Sequence, residues 1–169
     1  MVRLVLCVLA LSAGTSSVAY AQAGSGYWRA SEQWEVTQET ADGDCTLASA
    51  GSERDGIAYW VRVRVGDENE VVFVTSEQLV AEQAAIEFLD GGGLDFYELS
   101  SSSSADGFTL TASLSSSMMT RLLTGLREAE GAMYVAGSKG YLLPREPFEP
   151  AYQALRRCER RRLGMVLPD

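Results

Sequence analysis

Residues 57–75 constrain the fold more than any other stretch. The first half, Ile57-Ala58-Tyr59-Trp60-Val61-Arg62-Val63-Arg64-Val65, puts Val61, Val63 and Val65 on one face and Arg62 and Arg64 on the other. A period of two is that of a strand, whose successive side chains point to opposite sides. Gly66-Asp67-Glu68-Asn69 then turns the chain, and the apolar run Val71-Val72-Phe73-Val74-Thr75 returns as a strand. Two such runs joined by turn residues predict a β-hairpin. An antiparallel sheet with one apolar face needs other elements to cover that face.

The rest of the chain supplies them. Residues 33–37 alternate apolar and polar, Asp42-Gly43-Asp44 is a turn signal, and residues 45–48 resume strand character. Residues 51–56 read as a polar loop. Residues 85–89 and 94–99 are short strands around Gly91-Gly92-Gly93, residues 100–104 are a low-complexity serine loop, and residues 108–112 are another strand. The period then changes. Ser115, Ser116 and Ser117 offer N-caps, and Met118, Met119, Leu122, Leu123 and Leu126 recur at helical spacing. Such a stripe is more often core than a partner groove. Residues 133–136 and 141–143 are two strands joined by a Gly-Ser-Lys-Gly turn. Phe148, Ala151, Tyr152, Leu155 and Cys158 line one face of a last helix, with Pro150 in its first turn. The order predicts an α+β fold: an antiparallel β-sheet or small barrel with two packed helices, closed by one disulfide.

The disulfide follows from compartment and count. Arg3, the apolar run 4–11 and the small-x-small sites Ala19-Tyr20-Ala21 and Ala21-Gln22-Ala23 have the order of a secretory leader. We expect it to occupy 1–23, leaving one exported β-rich domain over 24–169, with the periplasm as its compartment. No later run is apolar and long enough for a membrane helix. Losing Cys7 with the leader leaves Cys45 and Cys158, 113 residues apart. An even pair in an oxidising compartment predicts a structural bridge rather than a redox centre, which would want a Cys-x-x-Cys spacing.

Charge excludes some partners. Without Arg3, 23 acidic residues face one fewer than 14 basic ones, a net of about −10. Such a surface repels nucleic-acid phosphates. Arg156, Arg157, Arg160, Arg161 and Arg162 nevertheless cluster at one end. Two readings stand. The cluster is a solvated helix face that complements the helix dipole, or a contact surface for an acidic partner or an anionic envelope polymer, with Trp28 and Trp60 as anchors.

Chemistry is narrowed by the lack of any histidine. The usual general base and the commonest metal ligand are gone, and with them the Ser-His-Asp and Cys-His arrangements. Three routes remain: paired carboxylates such as Asp90 with Asp95 or Asp42 with Asp44, a Ser-Lys dyad using Lys139, and carboxylate-bound calcium. Asp and Gly gather in turns for backbone reasons alone, and no segment matches an EF-hand loop. Gly91-Gly92-Gly93 is no dinucleotide fingerprint, and no P-loop occurs. Neither cofactor nor metal is expected.

Written out, the spine is Trp34, Cys45-x-Leu47, an aromatic-rich strand ending in Val-Arg-Val, Leu122-Leu123-x-x-Leu126, Tyr134, and Leu143-x-x-x-x-Phe148-x-x-Ala151-Tyr152-x-x-Leu155-x-x-Cys158. It resembles the periplasmic amino-terminal domain of the flagellar motor protein MotY. Its closing helix is also similar to that of the invasion-associated locus B family. The resemblance implies a disulfide between Cys45 and Cys158 and a non-enzymatic domain that docks on envelope proteins. It implies no catalytic residues. No segment of the chain resembles MotY's peptidoglycan-binding OmpA-like domain, so wall anchoring is not implied. The expectation is thus an envelope-complex accessory protein. The alternatives are an inhibitor of an envelope enzyme such as a lysozyme, whose basic cleft an acidic protein suits, and a carboxylate-based glycan hydrolase.

Overall fold

The computed structural model describes residues 26–40, 42–79, 81–104 and 107–165. The expected leader, 1–23, lies outside the described residues. The strands are β1 (Gly26–Arg29), β2 (Trp34–Gln38), β3 (Cys45–Ser49), β4 (Ser52–Arg54), β5 (Ile57–Val65), β6 (Glu70–Thr75), β7 (Ala84–Phe88), β8 (Gly93–Phe96), β9 (Ser100–Ser104) and β10 (Gly107–Ser113). Helix α1 (Ser116–Glu128), β11 (Ala132–Ala136), β12 (Lys139–Leu142) and helix α2 (Glu149–Arg162) follow. All pairings are antiparallel. The larger sheet runs β1-β2-β3-β5-β6-β10-β9, with β4 also on β5, and the smaller β12-β11-β7-β8. The fold is therefore α+β with two antiparallel sheets, the open alternative of the two expected.

Register sorts the side chains of the larger sheet. One inward rung runs Trp28, Val36, Leu47, Val63, Val71 and Ala112, all but the half-buried Trp28 being in the core. Two layers cover this inner face. Helix α2 lies on β1, β2 and β3. Its buried Ala151 and Ala154 are small enough for close approach, and Leu155 and Cys158 fill the remaining space. Trp34 meets Phe148 edge-on at 5.2 Å. The smaller sheet covers β5 and β6. Phe73 stacks on Tyr134 with centroids 4.1 Å apart, and Tyr141 touches both Tyr59 at 5.0 Å and Phe73 at 4.9 Å. Aromatic pairs of this kind add about 0.5–1.5 kcal/mol to the area they bury.

Both helices start and stop for local reasons. The Ser115 hydroxyl accepts from the Met118 N–H at 3.3 Å and caps α1. Met119, Leu122, Leu123 and Leu126 are buried, so the stripe is core. A methyl group at Gly125 would run into the Phe88 ring, which would have to shift. Pro150 sits in the first turn of α2, where its missing N–H breaks no bond. The far end closes with Gly164 at φ +68°, the Gly164 N–H donating to the Arg161 carbonyl and the Met165 N–H to the Arg160 carbonyl. Only glycine takes that left-handed position without a penalty.

Cys45 and Cys158 are bridged and fully buried, tying α2 to β3. Two expectations change. Residues 51–56 are not a loop: Asp55 and Gly56, at φ +54° and +79°, make a tight turn between β4 and β5. That is the Asp-Gly signal of a two-residue hairpin. Residues 100–104 are an edge strand rather than a loop, β9, paired to β10, with Ser102 Oγ 2.7 Å from Thr109 Oγ1. An edge strand held by its backbone ladder needs no apolar side chains, so periodicity could not reveal it.

Candidate functional site

The seven residues singled out as a contact surface fall on opposite sides of the larger sheet. Trp28 pairs with Val36 and so faces inward, beside α2. Trp60 pairs with Val74, out of phase with the inward Val61 and Val63, and faces outward. The structure does not bring the two tryptophans together.

The arginines of α2 divide by their position around the helix. Arg162 points back at the sheet. Its Nη1 donates to the Asp67 carboxylate at 2.9 Å and lies 3.9 Å from Asp44. Asp44 in turn accepts from the Asp67 N–H at 2.9 Å. This ion group clamps the helix end to the β5–β6 turn. Arg156 pairs with Glu159 at 2.9 Å along the helix. The Arg161 guanidinium lies 5.9 Å from the centre of the Trp28 ring. Arg157 and Arg160 are exposed, and among the described residues neither has an ion-pair partner. Beside them, past the helix end, Leu163 and Met165 are 60% and 55% exposed. The pole of α2 therefore combines free positive charge, a half-buried indole and two bare apolar side chains. Disulfide and clamp hold it in place. Leu163 and Met165 escaped the sequence reading because they lie beyond the periodic stripe.

The second feature is the outer face of the larger sheet. A hollow of about 630 Å³ lies over β2, β3, β5 and β6. Its floor is a rung of Glu35, Ala48, Arg62 and Val72. Beside it a second rung carries Thr37, Thr46 and Arg64. Arg64 is held by Glu68 and Glu70, each at 3.4 Å. Glu35 accepts from the Tyr27 hydroxyl at 3.2 Å. The Arg62 guanidinium lies 6.0 Å from the centre of the Trp60 ring and, among the described residues, forms no ion pair. Arg62 and Arg64 entered the sequence reading only as markers of a strand face. The signal that could have found this site is the shared phase of Trp60, Arg62 and Arg64, which puts all three on one surface.

The residues considered for catalysis sit elsewhere. Lys139 donates to Glu77 at 3.0 Å on the surface. That hydrogen bond holds its ammonium above the usual lysine range, the opposite of what a lysine base requires. Asp44 belongs to the Arg162 clamp, and Asp42, Asp90 and Asp95 are exposed. Among the described residues no group of three or more Cys, Asp and Glu side chains is placed to hold a metal ion. No described helix is long and apolar enough to cross a membrane.

No protein-family model matches the chain, and neither a curated protein nor a solved structure matches it.

Proposed function

We propose that this chain is an exported, non-enzymatic domain that docks on an envelope protein through the C-terminal pole of α2. The supporting observation is the exposed pair Arg157 and Arg160, which form no ion pair among the described residues, next to exposed Leu163 and Met165 on a helix fixed by the buried Cys45–Cys158 bridge. An interface built from arginine, an indole and apolar side chains has the composition of a binding hot spot. Rigid attachment lowers the ordering cost of association. Free guanidinium groups on an otherwise acidic protein select an acidic partner surface and speed the encounter. Arg161 over Trp28 belongs to the same surface.

The test is in-cell cross-linking of the tagged protein in its native host, followed by identification of what is captured. Replacing Arg157, Arg160 and Arg161 by Ser together should remove the captured envelope protein. Circular dichroism and melting should stay close to the parent, because none of the three joins the clamp. An unchanged capture profile would refute this role for the pole.

A further inference from the structure

We propose that the hollow on the outer face of the larger sheet binds an uncharged oligosaccharide. This site is separate from the pole of α2, and the inference does not rest on the docking role. At about 630 Å³ the hollow falls within the roughly 300–1,000 Å³ of ordinary ligand sites. It has one aromatic platform, Trp60, half-buried on the outward side of β5. An indole face takes the C–H face of a sugar ring, since it is both large and rigid. Arg62 is at the outer limit of cation–π range from that ring, so the indole is not tightly capped.

The polar groups favour the same class. Glu35 and Arg62 sit in one rung with only Ala48 between them. Their backbones are two strand spacings apart, about 10 Å. They form no ion pair, so an acceptor and a donor face each other across a low floor. Thr37 and Thr46, which also line the hollow, can do either. A sugar hydroxyl donates and accepts at once, and adjacent hydroxyls can satisfy both sides. An anionic ligand would meet the carboxylates of Glu35, Glu39 and Asp44, and a cationic one would meet Arg62 and Arg64. An uncharged polyol avoids both repulsions. Its hydroxyls can also donate to and accept from the lining groups on desolvation.

The experiment is an amide-resolved NMR titration of the exported protein with three uncharged trisaccharides: triacetylchitotriose, maltotriose and cellotriose. A galacturonic acid trimer and a glucosamine trimer serve as anionic and cationic comparators. At least one uncharged trisaccharide should saturate, with shifts centred on Glu35, Ala48, Trp60 and Arg62. Trp60→Ala should weaken binding at least tenfold. Ala48→Gln, which fills the floor from the solvent side, should do the same with the melting temperature kept. Arg157→Ser with Arg160→Ser should leave binding unchanged. The proposal is overturned if no uncharged trisaccharide saturates up to about 10 mM. It is equally overturned if a charged trimer binds more tightly, if the shifts lie elsewhere, or if Ala48→Gln binds like the parent.

Discussion

The two faces of the larger sheet are made by the same strands and differ in almost everything else. Along β5, Tyr59, Val61, Val63 and Val65 are buried, while Trp60, Arg62 and Arg64, one residue out of phase, are only partly covered. The inner face lies under α2 and the smaller sheet, and its side chains are in contact with other side chains. The outer face holds the hollow, although Val74, paired with Trp60 on that side, is fully buried. A single strand thus serves stability with one set of positions and leaves Trp60 and Arg62 of the alternate set partly exposed. Most of the buried apolar area lies on the inner side, so substitutions on the two sides should have unequal costs.

The largest effect should come from the inner face's covalent tie. In the chain-entropy description, a loop of 113 residues makes the bridge worth about 4–5 kcal/mol. Cys158→Ser, or reduction, should lower the denaturation midpoint accordingly, and a shift below about 1 kcal/mol would show that packing alone seats α2. Next, Phe73→Ala removes the ring between Tyr134 and Tyr141 and should cost about 3–5 kcal/mol by urea denaturation. A cost close to that of an outer-face change would erase the distinction between the faces.

A pH scan sharpens the same contrast. Burial pushes the hydroxyls of Tyr134 and Tyr141 above the ordinary tyrosine range. Both are then protonated in the folded state at pH values where the unfolded chain has released its protons. The unfolded state binds fewer protons there, so stability should be unaffected by these groups below about pH 10 and fall as pH rises beyond it. Tyr134→Phe should flatten that alkaline decline, and an identical slope in the variant would assign the decline to other groups. The smallest effect belongs to the outer face. Arg62→Ser should change stability by no more than about 0.5 kcal/mol, and a loss several times larger would make that side chain a structural one.

Much of this fold was legible because the two periods are physical. Strands β2, β3, β5 and β10 alternate, β6 is a short apolar run, and α1 and α2 show helical stripes, so burial demand is written into residue order. The β4–β5 turn was legible too, in Asp55-Gly56, although the polar residues around it drew the reading to a loop. Strand β9 was not: five serines carry no burial signal, and only the partner strand's backbone recruits them. The candidate sites were half visible. The arginine cluster stood out by composition, yet its division into a clamp at Arg162 and exposed Arg157 and Arg160 depends on where Asp67 and Asp44 arrive.

By itself, then, the residue order determined both helices and the strands other than β1, β4 and β9, and which of their faces are apolar, since both follow from local geometry and hydrophobicity. It also limited the chemistry, because a chain without histidine lacks that side chain's acid–base and metal-binding roles. The tertiary structure alone decided which elements cover the apolar sheet face, and that Trp28 and Trp60 point in opposite directions. It also placed Glu35 opposite Arg62 across Ala48. These are matters of strand register between segments distant in sequence, and register is set by the packing of the whole sheet rather than by any one strand.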